Sequence, residues 1–195
     1  MRILCVTFEA PSRKSGGGIG ILQSLIAATN NGSVDYVGPA FNEGDFPELV
    51  FNKTFFFQIE TSTIKKIFNF VRGLPVGQYN SWKKYSKILR ADDYDVVYID
   101  FSRHDYVLDW AKKNTLPVVI RIHNIEYDYF NRIVKGTGSR KQKLSSYFKR
   151  EAMRKSERKC MYGADALLFL TEEDKARAYT LYPQLDSKSN EKYIM

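Results

Sequence analysis

Three clusters of polar or glycine residues in this 195-residue chain stand where chemistry could be done. In PVVIRIHNIE, residues 117–126, a β-branched run after a proline breaks into Arg121 and then into His123, Asn124 and Glu126. In YDVVYIDFSRH, residues 94–104, a second apolar run breaks into Asp100, Ser102, Arg103 and His104. Such runs read as strands buried on both faces, and the carboxyl ends of parallel strands are where open α/β sheets bind ligands. A histidine there can relay a proton or hold a hydroxyl, which makes His123 the leading catalytic candidate. Arg121, Asn124, Ser102 and Arg103 are candidates for lining the same cleft, with helix capping as the plainer role of Ser102.

The third cluster is Ser15-Gly16-Gly17-Gly18-Ile19-Gly20, between a first strand and a helix. Glycines let the backbone approach a phosphate, and the N–H groups of a helix end favour an anion, so Gly16, Gly17 and Gly18 are assigned to a phosphate loop. Specific nucleotide signatures do not fit. G-x-G-x-x-G would need a glycine at Ile21, Gly38-Pro39 stands where a ribose-binding carboxylate belongs, and no G-x-x-x-x-G-K-[ST] occurs. No G-x-S-x-G elbow supplies a serine nucleophile, and two histidines give poor support to a histidine metal site, so no metal is assigned.

The elements that must position these clusters follow from periodicity. Strands are predicted over 2–8, 33–38, 50–59, 94–100, 117–126 and 164–170. Helices are predicted over 18–30, 63–71, 78–90, 102–114 and 144–161, with a last one opened by a capping box at residues 171–174 and ended by Pro183. The repeated strand–helix–strand order means an α/β fold: a mostly parallel sheet with helices on both faces. Residues 1–182 read as one domain and residues 183–195 as a polar tail.

Net charge is +8, and residues 132–159 alone carry 11 Lys and Arg against Glu151 and Glu157. The rest of the chain is close to neutral. Together with the aromatic, basic stretch 63–90, this suggests a polyanionic neighbour. Lys65, Lys66, Lys83, Lys84, Lys149 and Arg150 are the candidates for contact with an anionic membrane surface. Nucleic acid is not expected, because no reader motif is present. Cys5 and Cys160 lie far apart without redox or metal spacing and read as reduced. With no secretory leader and no apolar run of membrane-spanning length, the expectation is a cytoplasmic protein, peripheral at most on the inner face of a membrane.

The order of these pieces resembles a known family. A first strand with its Gly-rich turn, YDVVYID, RIHNIE, a basic helix with RKSERKC and ADALLFLTEED are similar to the amino-terminal domain of retaining glycosyltransferases with the GT-B fold, the group 1 (family four) enzymes. The resemblance covers residues 1–182. It implies a Rossmann-like sheet forming one half of a GT-B fold, with Gly17 and Gly18 near the donor diphosphate and His123 near the transferred sugar; Glu126 and Glu157 match positions that are more often structural. It further implies no cofactor beyond a nucleotide-sugar donor substrate, held mainly by a carboxyl-terminal domain through two glutamates eight positions apart. No two glutamates in this chain have that spacing. The expectation is therefore an acceptor-binding half, inactive alone, that takes a glycan or lipid-linked acceptor and works with a donor-binding partner domain. The alternative is a non-catalytic Rossmann-like binding module or a subunit of a split transferase.

Overall fold

The computed structural model describes residues 1–58, 78–136, 140–185 and 193–194. In chain order the elements are β1 (Arg2–Val6), α1 (Gly16–Asn31), β2 (Ser33–Gly38), β3 (Lys53–Phe56), α2 (Gln78–Tyr85) and β4 (Val96–Asp100). Then come α3 (Asp105–Lys113), β5 (Val118–Ile122), α4 (Glu126–Gly136), α5 (Arg140–Gly163), β6 (Ala166–Phe169), α6 (Glu172–Leu181) and β7 (Tyr193–Ile194). The strands form one sheet in the order β3-β2-β1-β4-β5-β6-β7, and every neighbouring pair is parallel.

The apolar strand runs serve two cores at once, because side chains alternate across a strand. Ile3 and Cys5 of β1 join Ile21, Leu22 and Leu25 of α1 on one face. Leu4 and Val6 join the opposite core, which Trp82 of α2, Val107 and Leu108 of α3, Cys160 and Met161 of α5 and Ala178 of α6 cover. Helices therefore flank both faces, as parallel sheets require. Chain order runs outward in both directions from the β1–β4 pair, so the crevice between their carboxyl ends is the topological switch point of the sheet.

Several boundaries differ from the sequence expectation, each for a local reason. Helix α1 starts at Gly16 rather than Gly18, because Ser15 caps it. Helix α2 stops at Tyr85, so Leu89 is buried while Ile88, expected beside Trp82, is 64% exposed. The strand expected over 50–59 contracts to Lys53–Phe56. Helix α3 begins at Asp105 after His104, so Ser102 is not its cap. Helix α4 was not expected at all, and it lies along a longer α5. The polar tail contributes β7, which pairs with Leu168 and Phe169. The cap at Thr171 forms as expected, its Oγ1 accepting from the Asp174 N–H at 3.0 Å. The helix expected over 63–71, with Lys65 and Lys66, lies outside the described residues.

Candidate functional site

Strands β4 and β5 run in register with Asp100 opposite Arg121, which brings the two polar clusters of the sequence together. His123, just past β5, hydrogen-bonds Asp100 Oδ1 through Nε2. Asp100 is fully buried at the end of its strand. A carboxylate oxygen accepts, so the Nε2–H donates to it, which leaves Nδ1 as the ring nitrogen not engaged by Asp100. Phe101 stacks on the same ring, centroids 4.0 Å apart and planes 7° from parallel. Phe101 itself sits at φ 76°, in the left-handed region that a side chain disfavours. Strain of this kind persists where the surroundings demand it, and here it accompanies the grip on His123.

The structure revises Arg121 from a cleft-lining contact to a tie between β5 and α1. It is buried, and its Nη1 donates to the Gly20 carbonyl at 2.6 Å and to Ser24 Oγ at 2.9 Å; His123 Nε2 lies 3.4 Å away but, as a donor to Asp100, does not accept from it. Gly20 makes room for this: a Cβ there would stand 3.1 Å from both terminal guanidinium nitrogens and from His123 Cε1. Sequence reasoning named Gly20 only as part of a glycine run.

Gly16, Gly17 and Gly18 form the first turn of α1 rather than a free loop. Ser15 Oγ already accepts from the Gly18 N–H at 3.3 Å, and a Cβ on Gly18 would press to 2.3 Å from Ser12 Cβ. Glu9 brings its carboxylate against Gly17, 2.6 Å from where a Cβ would be, whereas Gly16 faces open space. Close packing within the chain accounts for glycine at 17 and 18, and the helix end is already faced by an acidic group of the protein's own.

Arg103 turns toward the crevice, ion-paired with Glu126, its guanidinium 4.4 Å from the centroid of the Phe8 ring. Burial raises the Glu126 carboxyl above its ordinary range, and Arg103 opposes that shift. Asn124 is exposed. Ser102 is buried and donates to Glu157 at 3.4 Å, so it is a support and not a cleft contact. Glu157 also accepts the N–H groups of Glu126 at 2.6 Å and Tyr127 at 3.2 Å, capping α4 from 31 residues away, and the Tyr182 hydroxyl at 2.7 Å. Burial drives the His104 imidazole down to about 3, which keeps it neutral against Tyr106.

Among the described residues, six side chains hold a buried polar atom with no hydrogen-bond partner: Gln78, Asp100, Arg103, His104, Arg121 and Glu126. Asp100 and Arg121 lie in the last two residues of β4 and β5, Arg103, His104 and Glu126 follow those strands, and Gln78 donates to the Phe8 carbonyl after β1. Unsatisfied buried polar groups are costly, so their gathering at the ends of these strands makes this crevice the candidate site. Asp100, Gly20 and Phe101 are the site residues sequence reasoning did not assign. Only Asp100 had a signal, as a carboxylate ending an apolar strand, where acidic residues are depleted.

Lys83 and Lys84 are exposed on α2, and Lys84 donates to Gln58 at 2.9 Å. Arg150 is engaged by Glu151 at 2.7 Å and by Asn131 at 3.1 Å, which removes it from the free cations. Lys149 lies within α5, and its side chain is outside the described residues.

No family model and no curated protein matches this chain. Solved structures do. The chain matches Phytolacca americana UGT2 complexed with UDP-2fluoro-glucose and pterostilbene at TM-score 0.52 and 10% identity, over 98% of this chain and 53% of that one. It matches LpCGTa in complex with UDP at TM-score 0.55 and 12% identity, over 98% and 53%. A UDP-glucosyltransferase from Polygonum tinctorium capable of glucosylating indoxyl gives TM-score 0.52 at 8% identity, over 99% and 50%. The chain thus spans about half the length of these structures. At such identities the likeness concerns the fold alone: the sheet of this chain matches one Rossmann-like half of the GT-B fold of those structures.

Proposed function

We propose that this chain is the acceptor-side half of a retaining glycosyltransferase of the group 1 (family four) type. It would transfer a hexose from a nucleotide-sugar donor to a glycan or lipid-linked acceptor, in the cytoplasm, where its two separate free cysteines would stay reduced. The observation that carries the reading is the convergence of the His123–Asp100 pair and the partnerless buried polar atoms on the switch-point crevice of this sheet.

In the proposed arrangement the donor is held mainly by a second, carboxyl-terminal domain that closes over the crevice. Asp100 and Phe101 fix the His123 ring, and its Nδ1 lone pair accepts from a sugar hydroxyl. The N–H groups at the start of α1 favour the leaving diphosphate once Glu9 has moved aside. Arg103 is a cation within reach of the same space. The half-enzyme is inactive by itself.

Amide and imidazole NMR of the full chain, titrated with nucleotide-sugars and with soluble glycan acceptors, tests this. Acceptors should move the signals of His123, Asn124 and Arg103, and donors alone should move little beyond Gly16 and Gly17. Acceptors that leave the crevice signals in place would overturn the acceptor-side reading. Sugar transfer catalysed by the purified chain alone would overturn the half-enzyme reading. Acceptor binding without turnover after addition of the donor domain would favour a non-catalytic module.

A further inference from the structure

We propose that the outward face of α5 is a docking surface for an anionic membrane. Residues at helical spacing decide which side chains share this face. Tyr147, Glu151, Arg154, Lys155 and Arg158 follow one another at intervals of four, three, one and three residues, and Phe148 flanks them, so all six fall on one stripe. The opposite side carries Ser156, Glu157 and Cys160, all buried against the body of the protein.

Tyr147 and Phe148 are 47% and 57% exposed. Two adjacent large aromatics turned to water are unusual on a surface helix, and at a lipid interface an aromatic ring has a favourable place. Further along the stripe, Arg154, Lys155 and Arg158 are exposed and line one surface concavity with Glu151. Lys155 and Arg158 have no acidic partner among the described residues. Glu157, one of only two acidic residues between positions 132 and 159, is fully buried and does not dilute the charge. The other, Glu151, is held by Arg150.

From Tyr147 to Arg158 the helix advances about 16 Å, so the stripe is long enough to lie flat on a headgroup layer with its rings at one end and three cations at the other. A membrane fits this better than a nucleic acid, because the exposed rings sit at one end of the stripe, Tyr147 already has Arg150 stacked 4.7 Å from its centroid, and the sequence carries no nucleic-acid reader motif. This surface lies on the side of α5 opposite Glu157, which supports the crevice, and its test reads binding alone, independently of sugar transfer.

The experiment is co-sedimentation of the full chain with vesicles of phosphatidylcholine, and of phosphatidylcholine mixed with phosphatidylglycerol. The wild type should partition onto the mixed vesicles and not onto the neutral ones. The triple variant Arg154→Gln, Lys155→Gln, Arg158→Gln should lose about a hundredfold in that partitioning, since each cation near a charged surface contributes on the order of a fivefold effect. Tyr147→Ser with Phe148→Ser should bind weakly and lose the blue shift of a headgroup-labelled reporter. Circular dichroism confirms that both variants fold, and all of these residues are exposed. Equal binding to both vesicle types, a triple variant that binds like the wild type, or tighter binding to duplex or single-stranded nucleic acid than to the mixed vesicles would each overturn the proposal.

Discussion

Glu157 is the most informative single residue to perturb, because it holds the crevice together from behind. It is fully buried, yet it accepts two backbone N–H groups at the start of α4 and two hydroxyls. Burial outweighs these bonds and pushes its carboxyl up to about 7, from an ordinary 4.5. A carboxyl raised in the folded state binds its proton more tightly there than in the unfolded chain. Its contribution to stability is therefore fully present below the ordinary value and is lost as pH climbs through about 7. That gap corresponds to about 3 kcal/mol. Glutamine keeps the shape and one acceptor but cannot titrate. In urea unfolding followed by tryptophan fluorescence, Glu157→Gln should lose ground to the wild type at low pH and recover about 3 kcal/mol relative to it between about pH 4.5 and about pH 8. Glu157→Ala should cost about 3 to 5 kcal/mol, because two N–H groups and the Tyr182 hydroxyl lose their buried acceptor. A wild-type-minus-glutamine difference that stays constant across the pH series would refute the reasoning. One that runs the other way would mean that the hydrogen bonds, not burial, govern the carboxyl.

Three further outcomes are expected. Gly20→Ala gains helix propensity of about 1 kcal/mol but pushes on Arg121 and His123, so stability should change by less than about 1 kcal/mol while the His123 ring signals move; unmoved signals would deny the contact. Phe101→Gly should be more stable than Phe101→Ala by about 1 kcal/mol in urea, since both lose the ring and only glycine relieves the positive φ; equal stabilities would remove the strain from the account. Cys5 and Cys160 are fully buried, and burial raises both thiols well above their ordinary range, so a thiol reagent should label the folded chain only at the rate of unfolding.

The layout of strands was legible because parallel strands buried on both faces leave long apolar runs, as in VVIRI and VVYID. The turn at Thr171 was legible because its cap is local. Helix α4 was not, because the group that caps its first N–H is Glu157, 31 residues along the chain, and nothing just before Glu126 announces a helix. The same physics limited the site. His123 stood out as a polar residue at a strand end, but its partners came from other elements: Asp100 of β4 and, behind Arg121, Gly20 and Ser24 of α1 about a hundred residues earlier. Ser102 and Arg121 carried the right chemistry for a cleft and were turned inward by partners of this kind. Sequence spacing announces a local cap, and sheet register decides which distant side chains meet.

The contact between Glu157 and Tyr182 sets an order of events during synthesis. Strands β1, β4 and β5 can pair once residue 122 has left the ribosome, and α1 can then be bolted to β5 through Arg121. The amino end of α4, which follows directly on His123, still lacks its anchor until α5 arrives, and the anchor lacks its last hydroxyl until Tyr182 follows. The crevice is thus among the last parts of the molecule to set, after most of the sheet that frames it. A nascent chain stalled between these two points would carry a formed sheet with an unfinished crevice.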